Sequence, residues 1–183
     1  GMDNIDVAYA RSKGVQVNNT PAASSQSVAE LVMGHLFTLS RFLHDSNRRM
    51  PVEGGEQFKA LKKAYGKGRE LRGMTLAVVG FGRIGQSLAQ YAIGCGMKVI
   101  GVDQTTGTHA LMVDVAGQQV SVDIPLVTLD EALAAADAMS LHIPAQADGQ
   151  AVIDAEAIAK MKPGALLLNC LLYTSPSPRD TMS

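Results

Sequence analysis

Thr75-Leu76-Ala77-Val78-Val79-Gly80-Phe81-Gly82-Arg83-Ile84-Gly85 decides the fold of this chain. Its first five residues predict a short strand, buried on both faces because the run is apolar without alternation. The next six form a G-x-G-x-x-G turn. Beyond it, Ile84, Leu88, Tyr91 and Cys95 recur at helical spacing and predict an amphipathic helix. A strand, a glycine turn and a helix in this order are the context in which such a turn binds a dinucleotide. Gly80 permits the tight turn, Gly82 lets a pyrophosphate approach the backbone, and Gly85 lets the helix pack on the strand. The amides of Arg83 and Ile84 then sit at a helix N-terminus, where free N–H groups and the dipole favour an anion.

Downstream the alternation continues. Lys98 to Val102 predicts a second strand, and Asp103 ends it, 18 residues after Gly85. A ribose diol needs an acidic hydrogen-bond acceptor at that point. The same acid selects the cofactor. A 2′-phosphate about 5 Å from it would meet about 3 kcal/mol of repulsion per unit charge at an effective dielectric near 20. That disfavours NADP by about two powers of ten. Gln104, Thr105 and Thr106 supply no compensating Arg, so the expected cofactor is NAD.

Leu111-Val113-Val115 and Val120-Val122-Ile124 each alternate around Ala116-Gly117-Gln118-Gln119, predicting a β-hairpin insertion. A helix at about 128–136, a strand at 138–141, a short helix at 154–160 and a strand at 165–168 follow. Strands separated by helices mean βαβ units. The expected class is therefore α/β, a doubly wound parallel Rossmann sheet. Ser140-Leu141-His142-Ile143-Pro144 closes a strand at its carboxyl edge, where ligands of open α/β sheets gather. Proline turns that loop, so Ile143 can face a cofactor ribose. His142 on its own reads as a satisfied loop histidine.

Upstream, Thr20-Pro21 offers a helix start, and Ser27 to Glu30 has capping-box spacing. Val28, Leu31, Val32, Leu36, Leu39 and Leu43 predict one long helix over about 24–47, broken from Met50 to Gly55. A short helix ending at Gly14 and a strand over Val15 to Val17 precede it. The basic run from Lys59 to Arg72 reads as a solvated face. Sixteen basic against 17 acidic side chains give no drive for nucleic-acid binding. No apolar run is long enough for a membrane span, and no signal peptide opens the chain, so a cytoplasmic protein is expected. Cys95, Cys170 and the four histidines show no metal-ligand spacing.

The chain resembles the D-isomer-specific 2-hydroxyacid dehydrogenases over nearly all of residues 1–169. The resemblance is carried by Gly1 to Asp6, Asn19-Thr20-Pro21, Ser27 to Glu30, Glu70 to Gly73, the Gly80–Gly85 turn, Ser140 to Pro144 and Met161 to Gly164. It implies an NAD-dependent oxidoreductase acting on a small 2-hydroxy acid. The branch that oxidises 3-phosphoglycerate is the nearest in likeness. A hydroxypyruvate or glyoxylate reductase, a D-lactate dehydrogenase and a non-catalytic NAD-binding corepressor-like module are the alternatives. Cofactor contacts carry over to Gly80, Gly82, Arg83, Ile84, Gly85, Asp103, His142, Ile143 and Pro144, and a substrate contact to Ser24. A homodimer or homotetramer is implied for the parent protein.

The resemblance also divides the chain. Residues 1–20 would be a remnant of the substrate domain, 21–47 a crossing helix, and 48–169 an incomplete NAD-binding domain. Residues 170–183 would be a tail of different origin, since Cys170 to Asp180 resembles the conceptual translation of a sequencing adapter. Relatives follow the Asn169-Cys170 position with an Arg, and later a Glu and a His, that act on substrate; here Leu171-Leu172-Tyr173 follow instead. No catalytic residue is therefore assigned, and no turnover is expected of this chain.

Overall fold

The computed structural model describes residues 5–18, 24–144, 146 and 149–170. The expected helix start at Thr20-Pro21 and the tail beyond Cys170 lie outside them. Among the described residues the sheet has six strands in the order β3-β4-β2-β1-β5-β6. These are β1 (Thr75–Val79), β2 (Lys98–Val102), β3 (Gly107–Val115), β4 (Gln118–Leu126), β5 (Ala138–Leu141) and β6 (Leu166–Asn169). β2, β1, β5 and β6 pair in parallel in that order. β4 joins β2 in parallel through Gly101 and Leu126.

β1 is buried on both faces, as its unbroken apolar run requires. Leu76 and Val78 pack into one layer with Val32, Leu36, Leu88 and Ala92. Ala77 and Val79 pack into the other with Ala132, Leu133 and Met139. The first layer is closed by α2 (Ser25–Arg41) and α4 (Arg83–Gly94), the second by α5 (Leu129–Ala135) and α6 (Ala155–Lys160). Burying a Leu or Val side chain contributes about 1.5–3 kcal/mol, so these two layers hold the sheet. The chain leaves β1 toward β2 and β4, then returns to the other side of β1 with β5. A crevice therefore opens between the carboxyl ends of β1 and β5.

The hairpin forms as the alternation predicts, but with a tighter turn. Ala116 (φ 54°) and Gly117 (φ 83°) alone make it, and Gln118 and Gln119 are already in β4. Two left-handed residues match the natural twist of paired strands. Leu111 faces Val122 and Val113 faces Val120.

Four expectations on the N-terminal side need correction. Helix α1 (Val7–Ser12) forms and Gly14 follows it at φ 73°, but Val15 to Val17 form no strand. No described strand lies beside them, and an unpaired strand has nowhere to place its backbone bonds. The capping box is not at Ser27–Glu30. Ser24 is the N-cap of α2, Ser27 donates to the Ser24 carbonyl, and Glu30 accepts from Gln26 and Tyr91. A capping box is found instead at Thr128 and Glu131, starting α5. The buried stripe of α2 is Ala29, Val32, Met33 and Leu36, whereas Leu31, Leu39 and Leu43 are about half exposed.

The long helix also ends elsewhere. It stops at Phe42, which takes φ 56°, and α3 (Leu43–Tyr65) runs on through Pro51, Gly54 and Gly55. Within α3, Gln57 leaves helical geometry (φ −113°, ψ 18°). Asp45 and Tyr65 would stand about 30 Å apart on a straight helix. The Tyr65 hydroxyl nevertheless donates to Asp45 Oδ2 at 2.8 Å, so the helix folds back on itself at Gln57. Arg49 and Glu53 add a two-pronged ion pair on the first arm. No helix among the described residues is long and apolar enough to cross a membrane.

Candidate functional site

At the carboxyl end of β1, Gly80 turns the chain at φ 90°. A Cβ there would lie 2.8 Å from the His142 carbonyl oxygen, so β1 and β5 approach at a distance only glycine allows. Gly85 is equally constrained: a Cβ would run into the Gly80 carbonyl oxygen and lie 2.9 Å from Val78 Cγ1. Gly82 differs. It is the N-cap of α4, and a Cβ built on it would meet nothing among the described residues within 4 Å.

The space over Gly82 belongs to a cavity of about 300 Å³ lined by Ser25, Gly80, Gly82, Arg83, Ile84, Gly85 and His142. The first helical bond across this turn runs from the Gln86 N–H to the Gly82 carbonyl. The amides of Arg83, Ile84 and Gly85 therefore have no acceptor within the helix. Two of them, those of Arg83 and Ile84, are the amides at which the sequence reading expects an anion.

Asp103 stands beside the same turn. Its Oδ2 accepts the Phe81 N–H at 2.9 Å and its Oδ1 accepts the Gln104 N–H at 2.8 Å. The two amides fix the carboxylate while it stays exposed, leaving a lone pair on each oxygen for further donors.

His142 departs from its expected satisfied state. Its Nε2 lies 2.9 Å from the fully buried Ser140 Oγ, but its Nδ1 is buried without a partner among the described residues. Burial holds its pKa down, at about 4 against the usual 6.5, so the imidazole is neutral at pH 7. The sign of the pH effect follows. An unfolded chain binds the proton from about pH 6.5 downward, whereas the folded one refuses it until about pH 4. Stability from the neutral ring is complete above pH 6.5 and is lost as pH falls toward 4. Urea unfolding should show about 2 kcal/mol less stability at pH 5 than at pH 7, and His142→Gln should remove that part of the slope. An identical slope in the variant would contradict the assignment.

Ile143 and Pro144 are brought near but not into this cavity. They line a neighbouring one of about 480 Å³ with Leu141, Val152, Leu167 and Asn169. Ser24 caps α2 in an exposed position, outside the lining of either cavity. Its neighbour Ser25 is the residue missed: only 7% exposed, it lines the glycine cavity and its Oγ has no partner among the described residues. Nothing in local sequence distinguishes Ser25 from Ser24. Only the docking of α2 on α4 brings it there.

Residues 33–170 match the family described as "D-isomer specific 2-hydroxyacid dehydrogenase, NAD binding domain". The chain belongs to the D-isomer specific 2-hydroxyacid dehydrogenase family. Its matched part is the NAD-binding domain of these dehydrogenases, and NAD is the cofactor. It is 39% identical over 169 residues to the hydroxypyruvate reductase of Thermotoga maritima, covering 92% of this chain and 50% of that protein. It is 38% identical to the D-3-phosphoglycerate dehydrogenase of Methanocaldococcus jannaschii, covering 93% of this chain and 30% of the relative. The crystal structure of D-lactate dehydrogenase from Aquifex aeolicus complexed with NAD and lactic acid superposes with a TM-score of 0.63 at 32% identity. That match covers 92% of this chain and 46% of the other. The chain thus spans half or less of the length of these dehydrogenases.

Proposed function

We propose that this chain is the cofactor-holding part of an NAD-dependent D-3-phosphoglycerate dehydrogenase. Such an enzyme oxidises 3-phosphoglycerate to 3-phosphohydroxypyruvate. NAD, when bound, supplies the hydride acceptor. The observation that carries the cofactor placement is the open space over Gly82, beside amides that have no acceptor within α4 and next to a fixed carboxylate. There the amides of Arg83 and Ile84 hold the pyrophosphate and Asp103 orients the adenosine ribose. Gly80 and Gly85 keep the turn tight, Ile143 and Pro144 border the ribose side, and the backbone at His142 closes the crevice.

Ser25 joins this set. A hydrogen bond from a ligand to this buried hydroxyl contributes a net of about 0.5–1.5 kcal/mol. Ser25→Ala should therefore weaken NADH binding about threefold to tenfold in a fluorescence titration, without loss of melting temperature. Unchanged affinity would remove Ser25 from the site.

We assign no catalytic residue to this stretch; its proposed work is to hold and select the cofactor. The division at residues 20, 47 and 169, the substrate contact at Ser24 and a homodimeric or homotetrameric parent are carried over from the family as proposals. The substrate reading rests on the Methanocaldococcus relative, and a second reading, hydroxypyruvate reduction, rests on the Thermotoga one. The parent protein should be assayed with 3-phosphoglycerate and NAD against hydroxypyruvate and NADH. A higher kcat/KM with 3-phosphoglycerate supports the first reading, and the reverse order replaces it with the second.

A further inference from the structure

The hairpin of β3 and β4, inserted between β2 and α5, reaches back to the glycine turn. On β3, His109 pairs with Ile124 and sets its ring edge-on to Phe81, with centroids 5.3 Å apart and planes at 71°. Phe81 is the second residue of the turn and is 3% exposed. Gly101 of β2 also lies against this ring: a Cβ there would come within 2.8 Å of Phe81 Cδ2. The Phe81 ring is therefore held by contacts with both the β2 backbone and the His109 imidazole. The Phe81 N–H is also the donor that holds Asp103 Oδ2.

We propose that His109 is a positioning residue for cofactor choice: by holding Phe81 it fixes the amide that orients the Asp103 carboxylate toward the ribose. His109 touches no cofactor atom in this scheme. It acts through Phe81, and so changes how well the carboxylate tells a 2′-hydroxyl from a 2′-phosphate. An edge-on aromatic pair is worth roughly a factor of 2 to 12 in an equilibrium. That sets the size of the effect. The inference rests on the placement of Asp103 at the ribose proposed above.

The test is NADH and NADPH binding by the 183-residue chain and its variants, followed by fluorescence titration. His109→Ala should weaken NADH about fivefold and change NADPH less than twofold, so the preference for NADH falls about fivefold. His109→Phe, which restores an aromatic face, should return both values to those of the unaltered chain. Should His109→Ala fail to fold, His109→Leu keeps the bulk without that face and should show the same fall in preference. Equal losses for both dinucleotides, or no change in either, would overturn the positioning role. An unaltered chain that binds NADPH as tightly as NADH would overturn the Asp103 placement itself, and this inference with it.

Discussion

Asp103→Asn is expected to raise the dissociation constant for NADH at least tenfold and to narrow its preference over NADPH by about a hundredfold. The side chain keeps its shape, so the change isolates charge. In the folded chain both carboxylate oxygens already accept a backbone amide, from Phe81 and from Gln104. An Asn can satisfy one of these and turns a donor toward the other, so the orientation of the group also suffers. The loss for NADH comes from replacing charge-assisted acceptance of the ribose hydroxyls by a neutral, half-inverted amide. The gain for NADPH comes from removing the repulsion that a 2′-phosphate meets at this distance. Because Asp103 is exposed, added salt should reduce the discrimination of the unaltered chain and leave that of the variant nearly constant. A variant binding NADH within twofold of the original would place the ribose elsewhere.

What was legible in sequence is what is local. The turn from Gly80 to Gly85 carries its own conformational demands, and its neighbours along the chain complete the strand and helix. Asp103 was legible because the end of β2 is fixed once β1 is known. The hairpin announced itself by alternation and Gly117, although Ala116 gave no sign of its left-handed backbone. Long-range choices were not legible. Pro51, Gly54 and Gly55 carry the usual marks of a helix break, yet the breaks fall at Phe42 and Gln57. The Tyr65–Asp45 bond and the tilted ring contact of Phe42 with Tyr65 join residues more than a helix turn apart, and those contacts decide where the chain folds back. Ser25 belongs to the same class. Its neighbours in the cavity come from the far ends of β1 and β5, and no spacing in the sequence encodes that meeting.

The glycines of the turn offer the sharpest separation of folding from binding. Gly85→Ala puts a methyl group against the Gly80 carbonyl oxygen and Val78 Cγ1, both held by β1 in the middle of the sheet. Neither can move without shifting the strand, so overpacking of this kind should cost about 3 kcal/mol. For a chain of this size that lowers the melting temperature by about 6–12 °C. Gly82→Ala is the contrast. Its backbone (φ −74°, ψ −162°) suits any residue and the new methyl meets nothing among the described residues. The only folded-state cost is a poorer N-cap, less than about 1 kcal/mol. That methyl, however, projects into the space proposed for the pyrophosphate and holds it off the amides of Arg83 and Ile84. NADH should bind at least tenfold more weakly to a variant that melts nearly as the original does. Circular dichroism melts and NADH titrations on the two variants give four values. Normal NADH affinity in Gly82→Ala would mean that no phosphate rests on these amides. An undiminished melting temperature in Gly85→Ala would mean that α4 does not sit as close to β1 as its contacts require.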